Sequence, residues 1–369
     1  YVCQLSNDLV KRGMKVTVVA AGDMTLAGRL SGTIEVIPLG PLVGGRFGPA
    51  MSVARLVHHV PKLSRLLRSS EVSVVHTHLF ASGLGFWLAS AMARVPAIHT
   101  AMHVREIGSR SERLAYDCRI PGRLVSRFLA LSDWFRREIN ARWHVPQSRI
   151  VTIRSGVDVH RFRPDDRIRA KARDTWGVGP ETLVCGSAAR LAPEKGHDLA
   201  LRSVAHAIEN GASSIAFVVA GKGPEEVRLR DLAADLGIER QVRFLGFVPD
   251  TSTIMPGFDV YLQTGIGPNL GFASLEALCS GVPLLIAARS PEEQAMATDT
   301  LLNPESGWIA DATPIALGDC LLQVNRHRER LAQRKIKARE TGVANYNWDE
   351  HLNRLITLYE RCLAKQNPT

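Results

Sequence analysis

Residues Asp259–Pro283 read DVYLQTGIGPNLGFASLEALCSGVP. Val260–Leu262 is an apolar run short enough to be a buried strand. Thr264–Asn269 follows, with two glycines, a proline and an asparagine, the composition of a loop. Phe272–Cys279 then reads as a helix with Leu275 and Leu278 on one side. Gly281 and Pro283 end it before a second strand, Leu284–Ile286. Strand, glycine-containing loop, helix and strand make one turn of a parallel α/β sheet. Backbone N–H groups at the helix start, near Leu270, Gly271 and Phe272, form an anion site. Glu276 lies one turn further in, on the face that meets a ligand at the strand ends. The same pattern describes an ordinary crossover with a surface glutamate, and the stretch alone favours that plainer reading.

The pattern repeats outward. Upstream, Leu183–Cys185 is a strand, Leu199–Ile208 a helix, Ile215–Ala220 a strand, Val227–Leu236 a helix and Val242–Leu245 a strand. Downstream, a last α/β turn runs through Gly307. The first half alternates in the same way. Val2–Arg12 is an amphipathic helix stopped by Gly13, and Lys15–Ala21 is a strand. The numbering thus begins inside an α/β domain, at a helix. Gly40–Gly48 (GPLVGGRFG) reads as a mobile loop, and Ser52–Ser69 as a helix interrupted by Pro61. Val72–Val75 is a strand leading into His76-Thr77-His78, with His76 and His78 on the same face of the strand end, and Ala97–Thr100 is a strand leading to His103. Arg105–Arg142 is arginine-rich and mostly helical around a strand at Phe128–Leu131. Ile150–Ile153 closes this half, and Ser155–Pro164 (SGVDVHRFRP) is the boundary. Two such halves imply two parallel-sheet domains with a cleft between them. Trp348–Ala364 is a long final helix.

At 369 residues the chain has room for both domains. No apolar run is long enough to span a bilayer, and no signal peptide is visible. The six cysteines are scattered without a C-x-x-C pair, which suits reduced thiols in the cytoplasm. Residues 1–164 hold 23 basic and 10 acidic side chains, a balance of +13; the remaining 23 basic and 26 acidic give the rest −3. A basic face serves nucleic acid, anionic lipid or an acidic ligand. No nucleic-acid motif accompanies it, and no aromatics interleave with the arginines, so no nucleic-acid partner is expected. Arg55, Lys62, Arg65 and Arg68 on the Ser52–Ser69 helix suit an anionic membrane surface, although a core-packing helix with a wet basic side reads the same way.

Ala189–Gly196 (ARLAPEKG) brings Arg190 and Lys195 to the carboxyl end of a strand, where sheet ligands bind. Two cations there suit a diphosphate. His76 and His78, with His99 and His103 after the next strand, have the look of a zinc set, but no acidic or thiol ligand stands nearby and satisfied loop histidines explain them as well. No metal is expected.

Taken together these segments resemble the retaining family-4 glycosyltransferases. That family carries a glutamate, seven residues and a second glutamate, with Gly-Phe-Gly-like residues between. Leu270–Gly271 and Glu276-Ala277-Leu278 match; Pro268 stands in place of the first glutamate and Asn269 in place of a glycine. ARLAPEKG is similar to the family's Gly-Arg-Leu…Glu-Lys-Gly, with Ala189 for Gly. Gly221–Pro224 (GKGP), Arg243–Val248 (RFLGFV), Val95–His103, Phe128–Ser132 and Ile153–Phe162 fall in the family's order. The resemblance implies two Rossmann-like domains of the glycosyltransferase B type: an acceptor domain at 1–155, a donor domain at 156–343, and a last helix, 344–369, packing back on the first. In the family a first strand and a Gly-Gly loop precede the helix that begins here. It further implies retaining transfer of a hexose from a UDP-sugar to a saccharide or lipid-linked acceptor in envelope polysaccharide synthesis, in the cytoplasm at the inner face of the membrane. The nucleotide sugar is co-substrate, and no cofactor or metal is required. Arg190 and Lys195 would neutralise the diphosphate, amides at Leu270–Phe272 would hold phosphate and sugar, Glu276 the ribose, and His103 would face the transferred sugar. The same fold carries UDP-sugar epimerases, and a degenerate nucleotide-binding protein would keep the donor contacts without catalysis.

Overall fold

A computed structural model of the protein describes residues 1–21, 28–39, 49–78, 80–101, 120–212, 214–265 and 271–364. The chain divides into two units, Tyr1–Arg154 with Glu350–Thr369, and Ser155–Asp349. The 40–48 loop expectation lies outside the described residues. No described helix is long and apolar enough to cross a membrane.

In the first unit, β1 (Thr17–Ala21) and β2 (Glu35–Leu39) pair in parallel. β3 (Val75–His78), β4 (Ala97–Ala101), β5 (Arg127–Ala130) and β6 (Ile150–Thr152) form a second parallel sheet in chain order. Two expectations need correction here. The strand expected at Val72–Val75 lies at Val75–His78, and Val72–Val74 precede it. Hydropathy hides this strand because the side chains of His76 and Thr77 find hydrogen-bond partners inside the domain. His76 Nε2 lies 2.6 Å from Thr100 Oγ1 and its Nδ1 2.7 Å from the Tyr359 hydroxyl. Thr77 Oγ1 accepts from Trp87 Nε1 at 3.0 Å and lies 3.0 Å from His99 Nδ1. Pro61, for its part, does not break the helix, which runs from Pro49 to Ser69. A proline removes one backbone bond, while Val60, Leu63 and Leu67 bury against Val75, Phe86 and Ala89 on both sides of it.

The final helix, Trp348–Ala364, joins this unit from Glu350 onward and buries Leu352, Leu355, Leu358 and Tyr359. His351 bridges the Tyr1 hydroxyl (2.8 Å) and the Arg154 carbonyl (2.7 Å). Burial keeps four imidazoles of this unit neutral: His99 is held at about 3, His78 at about 4, and His76 and His351 below the usual value. In the unfolded chain these groups take up protons below about pH 6.5. The unfolded state then binds more protons than the native one, so stability falls as pH drops from about 6.5 toward 4. Urea unfolding followed by tryptophan fluorescence should show a lower midpoint at about pH 5 than at about pH 7; equal midpoints would contradict the neutral cluster.

The second unit holds six parallel strands among its described residues: β7 (Leu183–Ala188), β8 (Ile215–Ala220), β9 (Val242–Gly246), β10 (Val260–Gln263), β11 (Leu284–Ala288) and β12 (Gly307–Asp311). Their order is β12-β11-β10-β7-β8-β9. This is the Rossmann arrangement, in which the chain reverses direction between β7 and β10. Both faces of β7, β8, β10 and β11 are buried, so these strands read as nearly continuous apolar runs. Leu183, Phe217, Val219 and Leu262 enter one core, and Val184, Val218, Tyr261 and Ile286 the other, as the two-residue period of a strand requires.

The seam between β7 and β10 is pinned at its amino end by Asp259. Its buried carboxylate accepts from Val184 N (2.9 Å), Arg169 (2.7 Å), Lys335 (2.7 Å) and Arg173 (3.3 Å). At mid-strand the hydroxyl of Tyr261 on β10 lies 3.2 Å from both the N and the O of Ala188 on β7.

Candidate active site

At the carboxyl end of the same seam, the loops after β7, β8, β9 and β10 close on one another. The first is Ala189–Gly196, ending at the helix His197–Glu209. Gly196 has φ +63°, and a Cβ there would fall on the carbonyl of Thr264, just after β10. Thr264 Oγ1 in turn donates to the Lys195 carbonyl at 3.3 Å. Gly221, at φ +152°, sits so close to the Ala189 carbonyl that no side chain fits. Leu191 N donates to the Lys222 carbonyl (3.0 Å), and Gly221 N to the Gly246 carbonyl at the end of β9 (2.7 Å). Only glycine tolerates such close approach with positive φ. The glycines at 196 and 221 therefore let backbone meet backbone.

Arg190 and Lys195 both sit on this block. Arg190 is 65% exposed and pairs with Glu194 at 2.6 Å. His197, buried beneath, lies 3.3 Å from the Arg190 carbonyl and fixes the loop from below. Across the seam, the helix Phe272–Cys279 begins at Gly271 with no side-chain cap, and its positive end lies toward the strand ends. Ser274 Oγ donates to Gln263 Oε1 at 2.9 Å, tying that helix to β10. The structure thus brings Arg190, Lys195, Gly271 and Phe272 onto adjoining loops of one sheet edge. Leu270, Pro268, Asn269 and His103 lie outside the described residues.

Glu276 forms a second pole. Its Oε2 accepts from Thr251 Oγ1 at 2.7 Å, in the segment after β9. Burial raises its carboxyl above the ordinary value, against the pull of the Thr251 hydroxyl and the Arg161 charge. Arg161 itself pairs with Asp250 at 2.7 Å.

Sequence reading missed Arg289, which holds the loop after β10 in place. Its guanidinium donates to the carbonyls of Gly265 (2.9 Å) and Thr264 (2.7 Å), and Glu293 accepts from its backbone N (2.8 Å). Its position directly after the Leu284–Ala288 strand was the available signal. Of the histidines weighed as a zinc set, His76 and His99 are engaged by the hydroxyls described above, His78 Nδ1 is buried without a hydrogen-bond partner, and His103 lies outside the described residues. Among the described residues no group of three His, Cys, Asp or Glu is arranged to hold a metal ion.

A Rossmann-ordered unit joined in one chain to a second parallel-sheet unit is the architecture of the B-type glycosyltransferases, and solved structures share it. A glycosyltransferase from Rickettsia africae superposes with a TM-score of 0.80 at 16% identity, covering 98% of this chain and 93% of that one. Anabaena HepE, solved in complex with UDP, superposes at 0.78 and 17%, covering 98% and 95%. These likenesses establish the fold. The family described as "Glycosyl transferases group 1" matches residues 169–341, and "Glycosyltransferase Family 4" matches residues 1–161. The chain belongs to the group 1 glycosyltransferases of the family-4 type and is an enzyme of that class. Among relatives, the D-inositol 3-phosphate glycosyltransferase of Mycobacterium marinum is 25% identical over 387 residues, 99% of this chain and 81% of the relative.

Proposed function

We infer that the protein transfers a hexose from a UDP-sugar, with retention, to a saccharide or lipid-linked acceptor in cell-envelope polysaccharide synthesis, working at an anionic membrane surface. The observation that carries the donor reading is the loop block at the β7–β10 seam, where Arg190, Lys195 and the Gly271 helix start adjoin. Neighbours of the same fold were solved with UDP and with UDP-glucose. In the reaction the bond from the sugar's anomeric carbon to the diphosphate breaks, and the acceptor hydroxyl forms the new bond on the same face and passes its proton to the departing diphosphate oxygen. Charge builds on the departing diphosphate, so cations and helix amides fixed beside it lower the barrier. Arg190 exchanges Glu194 for phosphate oxygens, Glu276 accepts from the ribose hydroxyls, and His103 orients the sugar. The first unit takes the acceptor, and its +13 balance draws it to anionic lipid.

UDP release on mixing UDP-sugars with saccharide acceptors tests the enzyme. Donor binding without release would favour a nucleotide-binding protein that has lost catalysis, the reading to which Pro268 lends weight.

Pro268 carries a further expectation. Proline has no N–H and no carboxylate, so the grip rests on the nucleotide and largely ignores the sugar. UDP alone should bind about as well as a UDP-sugar in calorimetric titration. Glu276→Ala should weaken UDP by roughly 1.5–3 kcal/mol, the range for hydrogen bonds to a charged group. A UDP-sugar binding about a hundredfold tighter than UDP, some 2.7 kcal/mol, would show that Asn269 or His103 has assumed the missing glutamate's role.

A further inference from the structure

At the amino ends of β4, β5 and β6, the first unit has two neighbouring cavities that share Arg127. One, of about 270 Å³, is lined by Arg123, Arg127 and Arg149 with Leu124, Val125 and Cys362. The other, of about 450 Å³, adds Arg361, Val151, Leu358 and Ala364. Four arginines therefore surround a floor of aliphatic side chains. No aspartate or glutamate lines either cavity. Among the described residues no carboxylate pairs with any of the four, whereas Arg142 and Arg154 of the same unit pair with Glu138 and Asp133. Arg127 and Arg149 each spend one N–H on a backbone carbonyl, of Ser126 and Gly122. A guanidinium has five donors in a fixed fork, so most remain for a ligand. Arg123 and Arg361 are exposed at the rim.

The geometry points to an anionic phospholipid as the occupant, with its phosphate among the arginines and the adjoining glycerol and upper acyl carbons against Leu124, Val151 and Leu358. Cations without counter-ions call for a phosphate, and the aliphatic floor distinguishes a lipid from free phosphate. This proposal rests on the membrane contact inferred above and places it at the strand amino ends rather than on the Pro49–Ser69 helix. It also sets that end of the sheet against the bilayer.

The test is flotation of the full chain with phosphatidylglycerol-containing and with pure phosphatidylcholine vesicles, without donor or acceptor. Each basic side chain near an anionic leaflet contributes roughly fivefold to partitioning. Arg123→Glu/Arg361→Glu should therefore lower binding to the anionic vesicles by about thirtyfold or more, while Lys62→Glu/Arg65→Glu on the helix changes it much less. Wild-type chain that floats equally with both vesicle types, or helix substitution that matters more than the rim pair, overturns the proposal. So does calorimetric binding of inorganic phosphate that the rim pair abolishes without any vesicle binding, since the site would then be one for free phosphate. Circular dichroism melting checks that the variants fold, and Arg123→Gln/Arg361→Gln stands in if the reversals do not. UDP release with a soluble acceptor should persist in the rim variants, so failure of the lipid site and failure of the transferase reading are read separately.

Discussion

Arg190→Ala and Lys195→Ala should each slow UDP release with donor and acceptor by about a hundred- to a thousandfold, while the unfolding midpoint barely moves. Removing one fixed donor from a developing anion costs about 3–4 kcal/mol of barrier. Stability is insulated because the one ion pair lost, Arg190 with Glu194, is exposed on both sides, and such pairs contribute about 0–1 kcal/mol. The loop keeps its shape in either variant, since backbone contacts at Gly196 and Gly221 and the carbonyl bonds of Leu191 hold it. Steady-state turnover beside a urea titration makes the measurement. Near wild-type turnover in either variant would remove the diphosphate assignment.

Asp259→Ala should have the opposite signature, a large loss of stability, about 3–5 kcal/mol. The carboxylate is buried, and three cations converge on it. Burial alone would raise its carboxyl; Lys335, Arg169 and Arg173 outweigh burial and hold it below the usual value. A depressed carboxyl adds stability that is fully present above the unfolded value near 3.9 and is lost as pH falls through the lower folded value. Its removal leaves Arg173, itself buried, without a counter-ion. Lys335→Met should cost less, because two arginines still face the carboxylate. A loss below about 1 kcal/mol for Asp259→Ala would class the cluster with surface ion pairs.

The second unit was largely legible in its sequence. Strands buried on both faces leave unbroken apolar runs, and Ile215–Ala220 and Phe272–Cys279 were read to the residue. The loop cations stood out because they directly follow such a run. Contacts across long separations left no local trace: Asp259 meets Arg169 and Lys335, 90 and 76 residues away, and Arg289 reaches carbonyls 24 and 25 residues back. In the first unit β3 was misplaced because hydropathy disfavours His76 and His78 as strand residues, whereas Thr100 and Tyr359 supply the partners that let His76 sit inside. Pro61 misled for a related reason, since packing against Phe86 and Ala89 outweighs a local propensity.

The strand order of the second unit also sets a sequence of assembly. β7, the first strand made, lies inside the sheet, and its other neighbour, β10, begins only at Val260. β7, β8 and β9 join by short crossovers, but the β7–β10 seam closes a loop of some seventy residues, which is entropically the slower step. Until it closes, β7 presents a bare edge, the kind that recruits other chains. On the donor reading proposed above, the nucleotide would sit on that seam, so a half-made domain would have no pocket to fill and UDP would be a ligand of the finished sheet alone. A ligand with that preference shifts the folding equilibrium toward the native state. The donor would thereby protect a growing enzyme from aggregation at the very edge where it later reacts.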